Sequence, residues 1–285
     1  MPACISDLQF IILGSGTSAG VPVIGCDCEI CGSPDPRDNR TRTAACLRFV
    51  DASGQERVIL IDTSPDLRQQ VLRHKLARCD GIIYTHNHVD HTFGLDDVRR
   101  FNAVMQAPID IYADGHTMEH LTRVYRHIFE RDKNVNNSFV ALLIPHLIDP
   151  LKPVDLFGLR FTPLELLHGK LPILGYRIEA IDGEGHTRLE QPAPLPLAYC
   201  TDVSAIPPET WGKLTGLKTL ILDMLRYRKH YTHFSVDEAI AAASEIDANQ
   251  TWFVHMTHDI LHADLDEKLP EGMNLAYDGL ELGEG

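Results

Sequence analysis

The chain has 285 residues and carries 40 acidic against 26 basic side chains, a formal net charge of −14 with histidine counted as neutral. This excess of negative charge argues against an extended nucleic-acid surface, which needs a basic face to neutralise phosphates. The length and the 44% of apolar residues fit one large α/β domain or two small ones, and no run approaches the roughly twenty apolar residues that span a bilayer.

The N-terminus and the cysteine count predict a reduced, cytoplasmic protein. Residues 1–4 lack the basic region and apolar run that begin a signal peptide. Seven cysteines are an odd number, and three of them cluster at 26–31. A metal-bound cluster explains this spacing better than a set of disulfides does.

In chain order, the first half alternates predicted strands with predicted helices. Residues 9–13 form a strand that runs into a glycine-rich loop at 14–20, which is a weak match to a dinucleotide-binding fingerprint because no third glycine opens a helix. Further strands are predicted at 44–50, 58–62, 81–84 and 109–112, helices at 65–77, 97–104 and 117–129, and a polar loop at 132–138.

The second half continues in the same way, without a repeat or a clear interdomain linker. Strands are predicted at 160–166, 175–181, 197–200, 219–223 and 251–255, helices at 207–214 and 235–246, and a polar connection at 183–196. Interleaved strands and helices indicate a layered α/β fold. We therefore expect a single domain over residues 1–285.

The most distinctive segment is 85–91, which reads Thr-His-Asn-His-Val-Asp-His. Imidazole and carboxylate are ligands that zinc, manganese and iron share, whereas a hydrophobic core tolerates such polar groups only with partners. On a continuing strand, His86 and His88 would point to the same side. Asp90 and His91 would follow beyond the strand and could face a second metal. The alternative is a solvated, histidine-rich turn.

Three more candidate ligands stand at the ends of predicted strands: His168, Asp202 and His255. A strand end holds a side chain rigidly, as metal coordination requires. Each residue alone has an ordinary alternative, a structural histidine or a capping aspartate. Their order after an H-x-H-x-D-H motif favours a two-metal site.

A second metal signal is the C-x-C-x-x-C pattern of Cys26, Cys28 and Cys31. Three thiolates this close are typical of zinc, which then needs a fourth ligand to complete a tetrahedral structural site. His258 is the candidate, so the zinc-binding loop at 26–31 would be tied to a loop near the C-terminus. The alternative is a set of reduced cysteines without metal.

His233 stands apart from these candidate metal ligands. It precedes a predicted helix with Ser235 as N-cap and Glu238 three residues later, which is the pattern of a capping box. This predicts a position at the mouth of a site rather than in the core. The alternative is a loop histidine without chemistry, and His230, three residues earlier, competes with His233 for any chemical role.

The H-x-H-x-D-H motif resembles the signature of the metallo-β-lactamase superfamily. This resemblance implies a four-layer αββα sandwich of two mixed sheets flanked by helices, with the site at one sheet edge. It also implies a complete set of site residues: His86, His88 and His168 on one metal, Asp90, His91 and His255 on a second, Asp202 bridging the two, and Asp62 as a supporting acceptor.

The cysteine cluster and the His233 segment resemble the PhnP-like phosphodiesterases, a branch that is related to tRNase Z. The resemblance implies two active-site ions, zinc or manganese, one structural zinc, and frequent dimers. It also implies cleavage of a small cyclic or nucleotide-like phosphodiester, such as phosphoribosyl 1,2-cyclic phosphate, by hydroxide held on the metals. Asp90 and Asp202 would orient that nucleophile, and His233 would protonate the leaving group.

The chain departs from this branch in being longer around 121–150 and in carrying a basic segment before His233. Arg226, Arg228 and Lys229 in that segment either contact phosphate or form a solvated turn. Two other functions stay open: hydrolysis of a carboxylic ester, thioester or lactam, and a non-catalytic, zinc-stabilised nucleotide-binding protein. A tRNA-processing nuclease is disfavoured by the acidic composition.

Overall fold

The computed structural model describes residues 5–135 and 138–283. Residues 1–4, on which the prediction of no signal peptide rests, and residues 136–137 of the predicted loop at 132–138 lie outside the described residues. Within the described ranges, no helix is long and apolar enough to cross a membrane.

The strands form two mixed sheets of seven strands each. In chain order they are β1 (Ser6–Gly14), β2 (Ala44–Val50), β3 (Glu56–Ile61), β4 (Gly81–Ile83), β5 (Ile109–Ala113), β6 (Leu143–Leu147), β7 (Val154–Leu156), β8 (Leu159–His168), β9 (Leu171–Ala180), β10 (Leu197–Cys200), β11 (Thr219–Asp223), β12 (Gln250–Val254), β13 (Met273–Leu275) and β14 (Glu281–Gly283). The first sheet has the order β14-β1-β2-β3-β4-β5-β6, and the second β13-β12-β11-β10-β9-β8-β7.

Each sheet is antiparallel on one side and parallel on the other. In the first sheet, β14, β1, β2 and β3 pair antiparallel, whereas β3 to β6 pair parallel. In the second, β7 to β10 pair antiparallel and β10 to β13 parallel. All residues of the inner strands β4, β10 and β11 are buried, as expected for strands covered on both faces.

The helices cover the outer faces of the two sheets. They are α1 (Leu67–Arg73), α2 (Val89–Thr92), α3 (Arg99–Met105), α4 (Gly115–Val124), α5 (Arg126–Phe129), α6 (Pro208–Trp211), α7 (Val236–Ile246) and α8 (His262–Asp266). One apolar cluster lies between the sheets and includes Phe10, Phe161 and Tyr199. Two others lie between a sheet and its helices. The predicted αββα sandwich is confirmed.

The predicted strands and helices are confirmed in type, but four strands and two short helices were missed. The missed strands, β6, β7, β13 and β14, are the four edges of the two sheets. The predicted helix 117–129 is wrong in length because it breaks into α4 and α5 at Tyr125, whose hydroxyl donates to the carbonyl oxygen of Thr92 at 2.9 Å.

The histidine motif differs from its prediction in local structure. β4 ends at Ile83, so His86 and His88 do not continue a strand. They lie in the loop after it, and Asp90 and His91 belong to the short helix α2. The loop bends because Thr85 donates from its backbone and its hydroxyl to the buried Asp62, at 2.8 and 2.7 Å.

Candidate metal centres

The candidate active site lies where strand ends from both sheets meet. The histidine motif at 86–91 follows β4 in the first sheet, and Asp202 and His255 follow β10 and β12 in the second. His168 is the last residue of β8. Because ligand sites of α/β sheets form beyond the carboxyl ends of parallel strands, residues far apart in the sequence converge here.

The converging side chains form two groups of ligand atoms that share Asp202. Within each group the ligand atoms all lie within 4.8 Å of one another; the groups are His86, His88, His168 and Asp202, and Asp90, His91, Asp202 and His255. Asp202 Oδ1 is 3.2 Å from His91 Nε2, and its Oδ2 is 3.3 Å from His255 Nε2 and 3.8 Å from His86 Nε2. The arrangement matches the two sets that the resemblance implies, with Asp202 between them.

Several of these atoms fit metal ions better than they fit hydrogen bonds. Nε2 of His86, His91 and His255 is buried and has no hydrogen-bond partner among the described residues. A buried, unpaired polar atom is costly. Three of them converging with two carboxylates is the donor set that zinc or manganese takes, so the residues present fit two divalent ions.

Hydrogen bonds on the far side of the rings fix which nitrogen is free. The Thr85 hydroxyl donates to Asp62, so it can only accept from His86 Nδ1 at 3.0 Å. His91 Nδ1 donates to Asp62 at 2.8 Å. Each ring thus turns its Nε2 towards the site, which is how neighbouring acceptors orient metal-binding histidines. Asp62 is therefore a supporting acceptor in this structure.

The three histidines of the first group favour the neutral form. Burial lowers the pKa of His86 well below its ordinary value and also lowers the pKa of His88 and of His168. His168 Nδ1 donates to the Thr232 carbonyl oxygen at 2.7 Å, leaving its Nε2 unprotonated. Neutral imidazole is the form that binds a cation.

The second group holds protons that a cation would replace. Burial alone would lower the pKa of His91 and His255, but the carboxylates of Asp202 and Asp90 outweigh it and raise the pKa of His91, and that of His255 to about 9. The same imidazoles hold the pKa of both carboxyl groups below the usual range despite burial. Two carboxylates that draw protons onto the neighbouring imidazoles would also attract a divalent cation in place of those protons.

Three site residues adopt the left-handed backbone conformation. Asp62, Asp202 and His255 have φ of 63°, 60° and 67°. Non-glycine residues in this region cost on the order of 1–3 kcal/mol each and cluster at functional sites. The strained turns come directly after β3, just after β10 and directly after β12, where they direct the side chains towards the centre.

The structure brings His233 against the ligand groups. Its ring is 4.5 Å from the His168 ring and stacks at 4.6 Å on that of His255. It is 8% exposed, so the predicted position at the mouth is wrong and the residue is buried beside the ligands. Ser235 and Glu238 form the predicted capping box at the start of α7.

Asp223 is a site residue that the sequence analysis missed. It is fully buried at the end of β11 and accepts hydrogen bonds from His233 Nδ1 at 3.0 Å, from Asp202 N at 3.1 Å and from Phe234 N at 3.0 Å. The available signal was its place at a strand end, like Asp202. It orients the candidate proton donor and a ligand together.

The remaining candidates of this region lie further from the ligand groups. The His230 ring is 5.4 Å from the His233 ring, and its Nδ1 contacts Thr232 of its own loop. Arg228 and Lys229 are largely exposed and lie 3.6 and 3.1 Å from carboxylates. Arg226 is half-buried next to this loop.

The cysteine cluster forms a second, separate group of ligands. The sulfur atoms of Cys26, Cys28 and Cys31 are 3.3, 3.5 and 3.4 Å from His258 Nδ1. A tetrahedral zinc with bonds of about 2.3 Å to sulfur and about 2.0 Å to nitrogen would set these atoms about 3.5 Å apart. The four residues therefore fit a closed structural zinc site.

Backbone hydrogen bonds and burial shift the pKa values of the thiols in different directions. The backbone N–H of Cys31 lowers the pKa of Cys28 to about 6, which favours the thiolate that binds zinc. Burial raises the pKa of Cys31 to about 11, although the Val23 backbone N–H points at its sulfur from 3.3 Å. Zinc would have to displace that proton on binding.

One loop carries a ligand of each centre. His255 belongs to the active-site group and His258 to the cysteine group, three residues apart. The buried Arg40 donates to the carbonyl oxygens of Thr257 and Ile260 at 2.9 and 2.8 Å, on either side of His258. The two centres therefore share a rigid support.

Comparison with known proteins gives the class. A family model described as "Beta-lactamase superfamily domain" matches residues 57–256. The chain belongs to this superfamily of metal-dependent hydrolases, and its fold is the metallo-β-lactamase fold.

Individual relatives show which members of the superfamily the chain is similar to. The chain is 36% identical to a protein whose crystal structure is described as that of a new diphosphatase from the PhnP family. The two structures superpose with a TM-score of 0.83 over 98% of this chain and 97% of that one. It is 34% identical to an octanoyltransferase of Porphyromonas gingivalis over 96% of this chain but 51% of that protein, so it spans about half of that relative. Zn(2+)-bound PqqB from Methylobacterium extorquens, at 20% identity and a TM-score of 0.71 over 97% and 100% of the two chains, shares the fold. The chain is thus PhnP-like within the superfamily.

Proposed function

We propose that this protein is a metal-dependent phosphodiesterase that cleaves a small cyclic or nucleotide-like phosphodiester. The observation that carries the proposal is His233, which is hydrogen-bonded to Asp223 and packed against both ligand groups. Hydrolysis of an ester with an alkoxide leaving group needs a proton donor at that point. The 36% identity to a PhnP-family structure supports the same reading.

The ligand groups would hold two divalent ions. Such ions, zinc or manganese, supply positive charge that neutralises phosphoryl oxygens and makes water a stronger nucleophile at neutral pH. Asp202, which both ligand groups share, and Asp90 of the second group would restrict where that nucleophile stands. A third ion, zinc, would be held by Cys26, Cys28, Cys31 and His258 and would have a structural role.

His233 is the proposed proton donor. Its Nδ1 is occupied by Asp223, so its Nε2 is the atom that can give a proton to the departing oxygen. Asp223 holds the ring in place through this hydrogen bond, as a buried carboxylate does for a catalytic histidine elsewhere. His230 contacts only its own loop and His233 in the described part of the chain, which favours His233 over it.

A second candidate is hydrolysis of a diphosphate, favoured because the 36%-identical structure is described as a diphosphatase. The two reactions use the same attack on phosphorus but differ in the group that leaves. Phosphate leaves a diphosphate readily and needs little help from His233, whereas a sugar hydroxyl needs protonation. The two functions therefore differ in how much His233 contributes.

The test is a substrate panel on the metal-loaded protein, with cyclic nucleotides, phosphoribosyl 1,2-cyclic phosphate, dinucleoside diphosphates, a thioester and a β-lactam. We expect turnover of one or more cyclic or linear phosphodiesters. Turnover confined to diphosphates would favour the second candidate. Turnover confined to the thioester or the lactam would contradict the proposal.

A further inference from the structure

The loop between β11 and α7 has an unusual composition for this chain. Residues 226–231 read Arg-Tyr-Arg-Lys-His-Tyr, three full positive charges and two tyrosines in a chain whose net charge is −14. We refer to these residues as the basic–aromatic loop. Alternating basic and aromatic side chains suit a ligand with both phosphate and a flat ring system.

The base of this loop is fixed to the active site. The Thr232 carbonyl oxygen accepts from the ligand histidine His168 at 2.7 Å. Leu225 donates to the Phe234 carbonyl oxygen at 2.9 Å and accepts from Thr257 N at 3.0 Å. The basic–aromatic loop therefore stays beside the ligand groups.

The two tyrosines of the loop differ in their surroundings. Tyr231 is 95% exposed and stands in the chain between His230, whose ring is 5.4 Å from that of His233, and Thr232, whose carbonyl oxygen accepts a hydrogen bond from His168. Tyr227 is 48% exposed and lies four residues earlier in the chain. Tyr231 therefore offers the more exposed aromatic face, next to two residues that contact the site.

The cations also differ. Lys229 lies 3.1 Å from Glu238, and Arg228 lies 3.6 Å from Asp259. Arg226 is half-buried, its Nε donates to the Arg228 carbonyl oxygen at 3.3 Å, and among the described residues no carboxylate oxygen lies within 4.0 Å of its guanidinium nitrogens. Burial lowers the pKa of His230, and the nearby charges of His233 and Arg226 lower it further. Arg226 is thus a cation without a carboxylate partner that lies close enough to His230 for its charge to act on that ring.

We infer that Tyr231 and Arg226 form a nucleotide subsite, in which Tyr231 stacks on the base and Arg226 binds a phosphate of the same ligand. The inference rests on the proposed function, since it assigns the substrate class of that site. Base–aromatic stacking gives affinity without strict choice of base, and a guanidinium matches phosphate in geometry and charge. The subsite would select nucleotides over sugar phosphates.

The test measures binding rather than turnover. Calorimetry on the metal-loaded protein compares AMP with ribose 5-phosphate, which lacks the base. We expect AMP to bind roughly 5- to 150-fold more tightly, the range that stacking of one base covers. Equal affinities would overturn the inference.

Variants then assign the effect to residues. Tyr231→Ala should bring the ratio of the two affinities close to one, and Tyr231→Phe should retain it. Tyr227→Ala is the matched control and should leave the ratio unchanged. Arg226→Ala should weaken both ligands by a similar factor, with Arg226→Lys in between.

Two outcomes would overturn the assignment. One is a Tyr231→Ala variant that keeps the wild-type ratio. The other is a Tyr231→Ala variant that changes only the oligomeric state in size-exclusion chromatography, which would make Tyr231 an interface residue. Because hydrolysis of bis(p-nitrophenyl) phosphate by the wild type is measured separately, loss of the subsite and loss of the proposed function are distinguishable.

Discussion

At the residue scale, Asp202 connects more of the site than any one ligand histidine does. Its two oxygens face His91 and His255, and its backbone N–H is held by Asp223. Its left-handed backbone conformation, with φ of 60°, is retained because these contacts fix it. A residue held so tightly can bridge two cations without rearranging.

Asp90 is predicted to be essential for hydrolysis. The second ligand group has two carboxylates, Asp202 and Asp90. Asp90 Oδ2 lies 3.5 Å from His91 Nε2. Asp90→Ala should lower kcat/KM for bis(p-nitrophenyl) phosphate by roughly 10²–10⁴-fold. Asp97→Ala, which removes an exposed carboxylate six residues after the motif, is the control. Unchanged turnover in Asp90→Ala would remove this residue from the mechanism.

His233 is predicted to matter in proportion to how poor the leaving group is. His233→Ala should lower kcat/KM by roughly 10²–10⁴-fold for a cyclic nucleotide, whose sugar oxygen needs a proton. For bis(p-nitrophenyl) phosphate the loss should be less than about tenfold, since nitrophenolate leaves unprotonated.

Equal losses on the two substrates would argue that His233 is structural. His230→Ala supplies the comparison, because it should not show this dependence on the leaving group. If the His230→Ala variant showed the dependence on the leaving group and His233→Ala did not, His230 would be the proton donor.

At the scale of elements, strand ends were predictable and sheet edges were not. Long apolar runs predicted the central strands. His168, Asp202 and His255 were predicted as ligands because each comes directly after or close after such a run. The missed strands β6, β7, β13 and β14 are three to five residues long and lie at sheet edges. Edge strands are short and half-exposed, so their pattern is weak.

Tertiary contacts explain the other differences. The loop after β4 bends because Thr85 donates to Asp62, a residue twenty-three positions earlier in the sequence. Positive φ at Asp202 and His255 also depends on packing rather than on residue type. Local sequence patterns therefore predict where the ligands lie along the chain. They do not predict the backbone conformation that orients the ligand side chains.

The cysteine loop is predicted to act as a metal cross-link. Cys28→Ser should release one zinc per chain and lower the melting temperature. A cross-link across the 232 residues from Cys26 to His258 is worth about 3–5 kcal/mol, which corresponds to roughly 6–20 °C for a chain of this size. Elemental analysis and calorimetry measure both effects.

Asp27→Asn is the control for this change, since Asp27 lies between two cysteines but is exposed. It should keep both the zinc and the melting temperature. If Cys28→Ser retains its zinc content and stability, the structural site is wrong.

At the scale of the whole molecule, the motif and its resemblance predicted the superfamily and its sandwich fold, and both are confirmed. The substrate could not be read in this way, because one set of ligands serves phosphodiesters, diphosphates and carboxylic esters alike. The cytoplasmic location, the homodimer and the identity of the metals stay predictions.

The central claim is that the two ligand groups hold divalent ions that support phosphodiester hydrolysis. The most direct measurement is the hydrolysis rate of a cyclic phosphodiester as zinc or manganese is returned to chelated protein, with bound metal counted alongside. We predict no turnover without metal and a rate that rises until two ions per chain are bound beyond the zinc of the cysteine site. Full turnover in metal-free protein, or none at full occupancy, would contradict the account.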